Sequence, residues 1–240
     1  MNWLCIAGCG HTGTTLLAKM IAQSEEVFCN FKENGQFLTY NSLHVSDLVL
    51  GFEVEAQREG KSVILEKTPR HIWHLDFIRK TLGSNSRFIL TVREPIATIK
   101  SLYRRTENLS SSIQRVQDDL LLTLRSRTDS DVMIIRYEDL ISETRKTLVE
   151  ICKFSRIDFC EKMLSFHLDP RAWFEDKSND SHINLRNSQL SKPIYQNEST
   201  WRDPNGLELD LASWYDKIGK EIAHEFSYPI LKNLPNLMDK

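Results

Sequence analysis

Apolar residues in this chain fall in short blocks separated by longer amphipathic stretches. Asn2–Ala7 is an almost unbroken apolar run leading into glycines, which predicts a strand buried on both faces. Thr14–Ser24 follows, with Leu16, Leu17, Met20 and Ile21 at helical spacing. The alternation then repeats. Ser62–Leu65 predicts a second buried strand, and Pro69 opens a helix that carries Ile72, Leu75 and Ile78 on one face and stops at Gly83. Arg87–Val92 predicts a third strand, followed by a helix from Pro95 with Ile96, Ile99, Leu102 and Tyr103. Ser111–Arg125 reads as a helix, Asp131–Ile135 as a fourth strand and Glu138–Phe154 as the helix after it. Leu207–Phe226 is a last helix, turning Leu209, Leu211, Trp214, Ile218 and Ile222 toward the core.

Buried strands alternating with helices predict an α/β fold, a P-loop-like parallel β-sheet flanked by helices on both faces. The length of 240 residues suits one large domain. Asp169–Pro204 breaks the rhythm, being long, polar and rich in Asn, Ser and Pro, and such a loop in a compact domain is usually a lid or a binding loop.

Composition narrows the function classes. With 40% hydrophobic and 27% charged residues the chain is neither disordered nor fibrous. A net charge of -2 offers no global basic field for nucleic acid or for stable membrane association. No apolar run reaches the roughly 18 residues that span a bilayer. The opening MNWLCIAGCG lacks a basic n-region and does not read as a signal peptide. Cys5, Cys9, Cys29, Cys152 and Cys160 are odd in number and scattered, which argues against a zinc site or disulfide framework and for reduced thiols in a cytoplasmic enzyme.

The most informative stretch is Gly8-Cys9-Gly10-His11-Thr12-Gly13-Thr14-Thr15, between the first strand and the first helix. Gly10 and Gly13 permit tight turns and a close ligand approach. Amides of the loop and first helical turn converge on one spot, backed by the positive end of the helix dipole, and Thr12, Thr14 and Thr15 add hydroxyls. Gly8 and Gly13 match the glycines of the P-loop G-x-x-x-x-G-K-[ST], but Thr14 stands where the phosphate-binding lysine belongs. Positive charge within the loop rests with His11, so the cradle looks built for a single terminal phosphate. Arg93 ends the third strand, where open α/β sheets bind ligands. Ser101 and Arg105 follow, one turn apart on a helix, and with Arg93 they form a second candidate anion site.

In order, GCGHTGTTLL, VILEKTPRHI, RFILTVREPIATIKSLYRR and VMIIRYEDLI resemble the sulfotransferases that use 3′-phosphoadenylyl sulfate (PAPS), above all a bacterial branch and its protein-tyrosine and carbohydrate relatives. The resemblance is good over residues 1–155 and looser beyond. It implies that Gly10, His11, Thr12, Gly13, Thr14 and Thr15 hold the 5′-phosphosulfate, with His11 standing where the family usually has Lys or Arg. It further implies that Arg93 and Ser101 hold the 3′-phosphate, that Arg105 and Tyr137 contact the cofactor, and that Arg186 to Tyr195 form a late nucleotide loop. Trp201-Arg202 resembles a motif following that loop.

Sulfuryl transfer needs positioning, charge stabilisation and a base. The resemblance puts the base at Glu33, after a short strand beside the first loop, with Glu66 as competitor, and Lys67 as a cation facing the transferred group. PAPS would be the donor, and no metal is expected: His71 and His74 are spaced for one but have no third ligand. Trp73, Trp173 and Trp214 are expected in the core. Phe31–Val45 and Asp169–Pro204 are expected to shape the pocket of the hydroxyl acceptor, which a sugar, a peptide tyrosine or a small metabolite could supply. Two other readings fit the loop: a nucleotide or small-molecule kinase with a degenerate P-loop, and an inactive adenosine-phosphate-binding module.

Overall fold

The computed structural model describes residues 1–35, 37, 42–174, 181–194 and 208–230. Its five strands are β1 (Asn2–Gly8), β2 (Val27–Phe28), β3 (Val63–Lys67), β4 (Ser86–Val92) and β5 (Val132–Arg136). Among the described residues they form one sheet in the order β2-β3-β1-β4-β5, with every pairing parallel. Chain order reverses across β1, since β3 lies on one side of it and β4 on the other. Ligand crevices in such sheets open beyond the carboxyl ends of the strands at this switch point.

Helices cover both faces. Leu4, Ile6, Leu65 and Ile89 pack with Leu17, Ala18 and Ile21 of α1 (Thr14–Ile21). On the other face Cys5, Ala7, Phe88 and Leu90 meet Ile72, in a 3₁₀ stretch from Pro69 to His74, and Leu75 and Ile78. This second layer takes Val45 from α2 (Ser42–Arg58) and Leu75 and Ile78 from α3 (Leu75–Leu82), the latter ended by Gly83 as the sequence predicts. Two further helices, α4 (Pro95–Thr106) and α5 (Leu109–Arg125), bring Ile96, Ile99, Val116 and Leu120 into a third apolar cluster with Leu211 and Trp214.

Several elements differ from the sequence pattern: α2 stands where no helix is expected, and the helix from Pro69 begins as a 3₁₀ stretch. The helix expected over Glu138–Phe154 is two, α6 (Tyr137–Ser142) and α7 (Thr144–Ser155), because Glu143 leaves helical dihedrals at φ -122, ψ 43. The polar Asp169–Pro204 stretch contains a helix, α8 (Ser181–Leu190). The last helix is α9 (Glu208–Trp214) and α10 (Lys220–Glu225) with a π-helical turn between them, where the Trp214 ring lies against Gly219. Trp173 and Trp214 are buried as expected, but Trp73 is 49% exposed, with its indole N–H turned inward to the buried Asp119.

Candidate active site

A cleft of about 1000 Å³ opens beyond the carboxyl ends of β1, β3 and β4. Its floor is the loop between β1 and α1. Gly13 caps α1 with φ 86, and a Cβ there would stand 2.7 Å from the Tyr137 ring. No side chain caps the first turn of α1 and no acidic residue lies in it, so its amides remain directed at the cleft. His11 also takes a left-handed conformation, with φ 71, which bends the loop around the hollow.

Residues that the sequence spreads from 11 to 137 form one contact chain here. His11 Nδ1 lies 3.0 Å from Ser101 Oγ, and Arg93 Nη1 donates to the His11 carbonyl at 3.5 Å. The Arg93 guanidinium stacks 4.6 Å above the Tyr137 ring, which itself rests on Gly13. Gly10, His11, Gly13, Thr14, Thr15, Arg93, Ser101, Arg105 and Tyr137 all line the cleft. Helix α4 is fixed by Glu94, whose carboxylate accepts from the Ile96 and Ala97 amides at 3.0 and 2.6 Å. Burial pushes the Glu94 carboxyl up, and the two amides pull it back.

Thr12 is placed differently from its loop neighbours. Its side chain is fully buried and does not line the cleft; the hydroxyl donates to Cys9 O at 2.5 Å and meets Thr91 Oγ1 at 2.6 Å. Its hydroxyl ties the loop to β4.

At the other end of the cleft stands Glu33. Its carboxylate is 38% exposed and lies 2.5 Å from Lys67 Nζ. Lys67 itself is completely buried beneath Trp173 and Phe174, at 4.8 and 5.4 Å from their ring centres, and is not among the residues lining the cleft. The expected cation therefore meets the cleft through its ion pair with Glu33.

Glu66 is held away from the cleft. Its Oε1 accepts from Thr68 Oγ1 at 2.7 Å and from the Asn34 backbone amide at 3.3 Å, and its Oε2 lies 2.7 Å from His71 Nδ1. His71 Nε2 faces the Asn34 carbonyl at 3.3 Å. Both backbone groups of the residue next to Glu33 are thus gripped by one buried pair. Glu66 is engaged by these groups, whereas Glu33 lines the cleft with its carboxylate partly exposed.

The late segment supplies a wall. Gln189, Leu190, Lys192, Pro193 and Ile194 line the cleft, and Lys19 of α1 donates to the carbonyls of Asp169 and Leu190 at 3.1 and 3.3 Å. Arg186 falls within α8, but its side chain lies outside the described residues, as do Tyr195 and Trp201-Arg202.

Sequence reasoning missed most of the cationic lining. Among the described residues, Arg70, Lys100, Arg104 and Arg115 join Arg93, Arg105 and Lys192 of the expected late loop, against the carboxylates of Glu33 and Glu94. For Arg115 a signal existed. Val116, Asp119, Leu120 and Thr123 share one face of α5, and all four are buried. An acid on such a stripe needs a partner, and Arg115, one turn earlier, lies 3.7 Å from Asp119.

A model described as the Sulfotransferase family matches residues 37–161, a stretch that begins after the loop and Glu33 and takes in Lys67, Arg93, Ser101, Arg105 and Tyr137. No curated protein matches the chain in sequence. Among solved structures, the sulfotransferase domain of the Synechococcus PCC 7002 olefin synthase is similar at TM-score 0.62 and 19% identity, covering 96% of this chain and 95% of that one. The sulfotransferase domain from the curacin biosynthetic pathway has TM-score 0.57 and 18% identity, with 96% and 98% covered. A mouse sulfotransferase solved complexed with PAP has TM-score 0.56 and 14% identity, with 93% and 89% covered. At these identities the structural likeness is one of fold.

Proposed function

The chain belongs to the sulfotransferase family, and from that premise we propose that it moves a sulfuryl group from PAPS to an acceptor hydroxyl, with Glu33 as base. The observation that carries this reading is one cleft with an anion cradle in its floor, Arg93 and Ser101 on one side and the exposed carboxylate of Glu33 at its end. The cradle suits a phosphosulfate: glycines stand at positions 10 and 13, where a Cβ would meet Arg115 and Tyr137, and the first-turn amides of α1 face the hollow. The mouse relative's bound PAP adds support for an adenosine bisphosphate core.

In this reading Gly10, His11, Gly13, Thr14 and Thr15 hold the phosphosulfate, and Arg93, Ser101 and Arg105 hold the 3′-phosphate. Tyr137 braces Arg93, and Arg186 and Tyr195 belong to the nucleotide loop. When bound, PAPS supplies an activated sulfuryl group, whose bond to the phosphate oxygen breaks as one to the acceptor oxygen forms. Glu33 takes the acceptor's proton. Lys67 keeps the Glu33 carboxylate oriented, and the buried Glu66–His71 pair fixes the adjoining backbone. His11 and the loop amides face the oxygens on which negative charge gathers.

Calorimetry tests the donor. Adenosine 3′,5′-bisphosphate should bind without metal and ATP with Mg²⁺ should not. Arg93→Ala should weaken the bisphosphate about 10- to 150-fold, the range for a lost charge-assisted contact, with a smaller loss for the analogue lacking the 3′-phosphate. Equal losses for both ligands would remove Arg93 from that phosphate. Turnover of labelled PAPS against a panel of sugars, phenols and small alcohols then identifies the acceptor.

A further inference from the structure

The loop Gly8–Thr15 contains neither lysine nor arginine. A transferring group that gathers negative charge on its oxygens is ordinarily met by fixed positive charge, and a P-loop keeps a lysine for that purpose. His11 is the loop's own basic residue, and imidazole carries charge only when protonated. We propose that Arg115, reaching in from α5, supplies the fixed charge this loop lacks and binds the 5′-phosphosulfate, with Asp119 as the residue that positions it. The inference rests on the PAPS reading above.

Several observations converge on Arg115. Its guanidinium lies against the loop itself: a Cβ added to Gly10 would stand 3.2 Å from Nη2 and 3.8 Å from Cζ. A contact of 3.2 Å is tighter than a methyl group normally makes, so glycine at position 10 leaves the guanidinium its place over the loop. Arg115 lines the cleft and its side chain is 28% exposed, which leaves donors open to a ligand while the stem is held by the protein.

Asp119 turns this into a built feature. Its side chain is only 2% exposed, lies 3.7 Å from Arg115 and accepts from Trp73 Nε1 at 2.6 Å. Cys9, which is part of the loop, has its thiol pushed up by burial and by the neighbouring Asp119. One buried carboxylate thereby ties α5 to the 3₁₀ stretch after β3, beside the loop. Burial pushes the Asp119 carboxyl up, and Trp73, Arg115, Cys9 and Arg70 pull it back. At 3.7 Å the pair is looser than a forked ion pair, so the guanidinium keeps N–H groups for an anion. Arg93, by comparison, sits over Tyr137 and reaches the loop only at the His11 carbonyl.

The test is calorimetry on the whole chain with two ligands, adenosine 3′,5′-bisphosphate and adenosine 3′-monophosphate, which lacks the 5′-phosphate. Arg115→Ala should weaken the bisphosphate about 10- to 150-fold and the monophosphate by less than about twofold. Arg115→Lys keeps the charge without the fork and should lose less than the alanine variant. Asp119→Asn should show part of the same 5′-selective loss and add little to Arg115→Ala, since both act through one contact. Equal losses for the two ligands, or an Arg115→Ala protein that keeps the parent's affinity for the bisphosphate, would overturn the assignment. If the parent itself binds neither ligand, the PAPS reading fails, and the inference fails with it. Circular dichroism and thermal melting of each variant separate lost binding from lost folding.

Discussion

In the loop between β1 and α1 the chain presents backbone to a ligand, whereas at the end of β3 it presents a side chain. The loop shapes its hollow with Gly10, Gly13 and the left-handed His11, and its one fully buried hydroxyl, Thr12, is spent on Cys9 and Thr91. The other region holds out a single carboxylate, Glu33, and supports it with a buried Lys67 and a Glu66–His71 pair that grips Asn34. A backbone cradle is sensitive to added bulk and indifferent to most side-chain chemistry. A side-chain site is sensitive to the removal of one charge, and it needs a second layer of buried charge to stay in register.

Three substitutions test that contrast. The largest effect is expected at Glu33. Glu33→Gln retains size and hydrogen bonding but removes the base, so kcat should fall by about 10²–10⁴-fold while bisphosphate affinity stays unchanged. Single-turnover measurements on Glu33→Gln and Glu66→Gln side by side decide between them. A rate for Glu33→Gln within about threefold of the parent, far short of that range, would return the role to Glu66 or His11.

His71→Ala comes next, and its effect should appear in stability before catalysis. It leaves Glu66, whose side chain is wholly buried, without the imidazole nitrogen 2.7 Å from its Oε2. Leaving a buried polar group without its partner typically costs about 1–3 kcal/mol, read as a fall in the urea midpoint at constant m. A loss under about 1 kcal/mol, the range of exposed pairs, would mean that the pair does not hold this end of the cleft.

Gly13→Ala is the smallest of the three. A left-handed backbone costs an ordinary residue about 1–2 kcal/mol, and the added methyl would also press on the Tyr137 ring at 2.7 Å. The expected outcome is a modest loss of stability with a clear loss of bisphosphate affinity, because Tyr137 carries Arg93. Unchanged affinity in a destabilised protein would separate the cradle from Tyr137 and Arg93.

Much of this was legible in the order of the residues. The apolar run from Asn2, the glycines after it, the proline-opened helices and the strand-ending Arg93 together specified a parallel sheet with a phosphate-type loop, since each depends on neighbours a few residues away. The breaks in the later helices were not legible. Glu143 and the Trp214–Gly219 turn interrupt patterns whose apolar spacing continues through them.

The site divides in the same way. His11, Arg93, Ser101 and Tyr137 could be named from motifs, but their contact chain exists only because β1, β4 and β5 end side by side. That Thr12 points inward and Lys67 is sealed under Trp173 depended on what packs above them, which local spacing does not encode. Arg115 is the clearest instance. A hundred residues separate it from the loop, and its nearness to Gly10 follows from α5 docking across the crevice with Asp119 buried beneath it. Sequence determines what a residue can do chemically and which local element carries it. Which charges meet across a cleft is decided by tertiary packing, because the energy of a charge depends on the groups and the burial around it, and these come from distant parts of the chain.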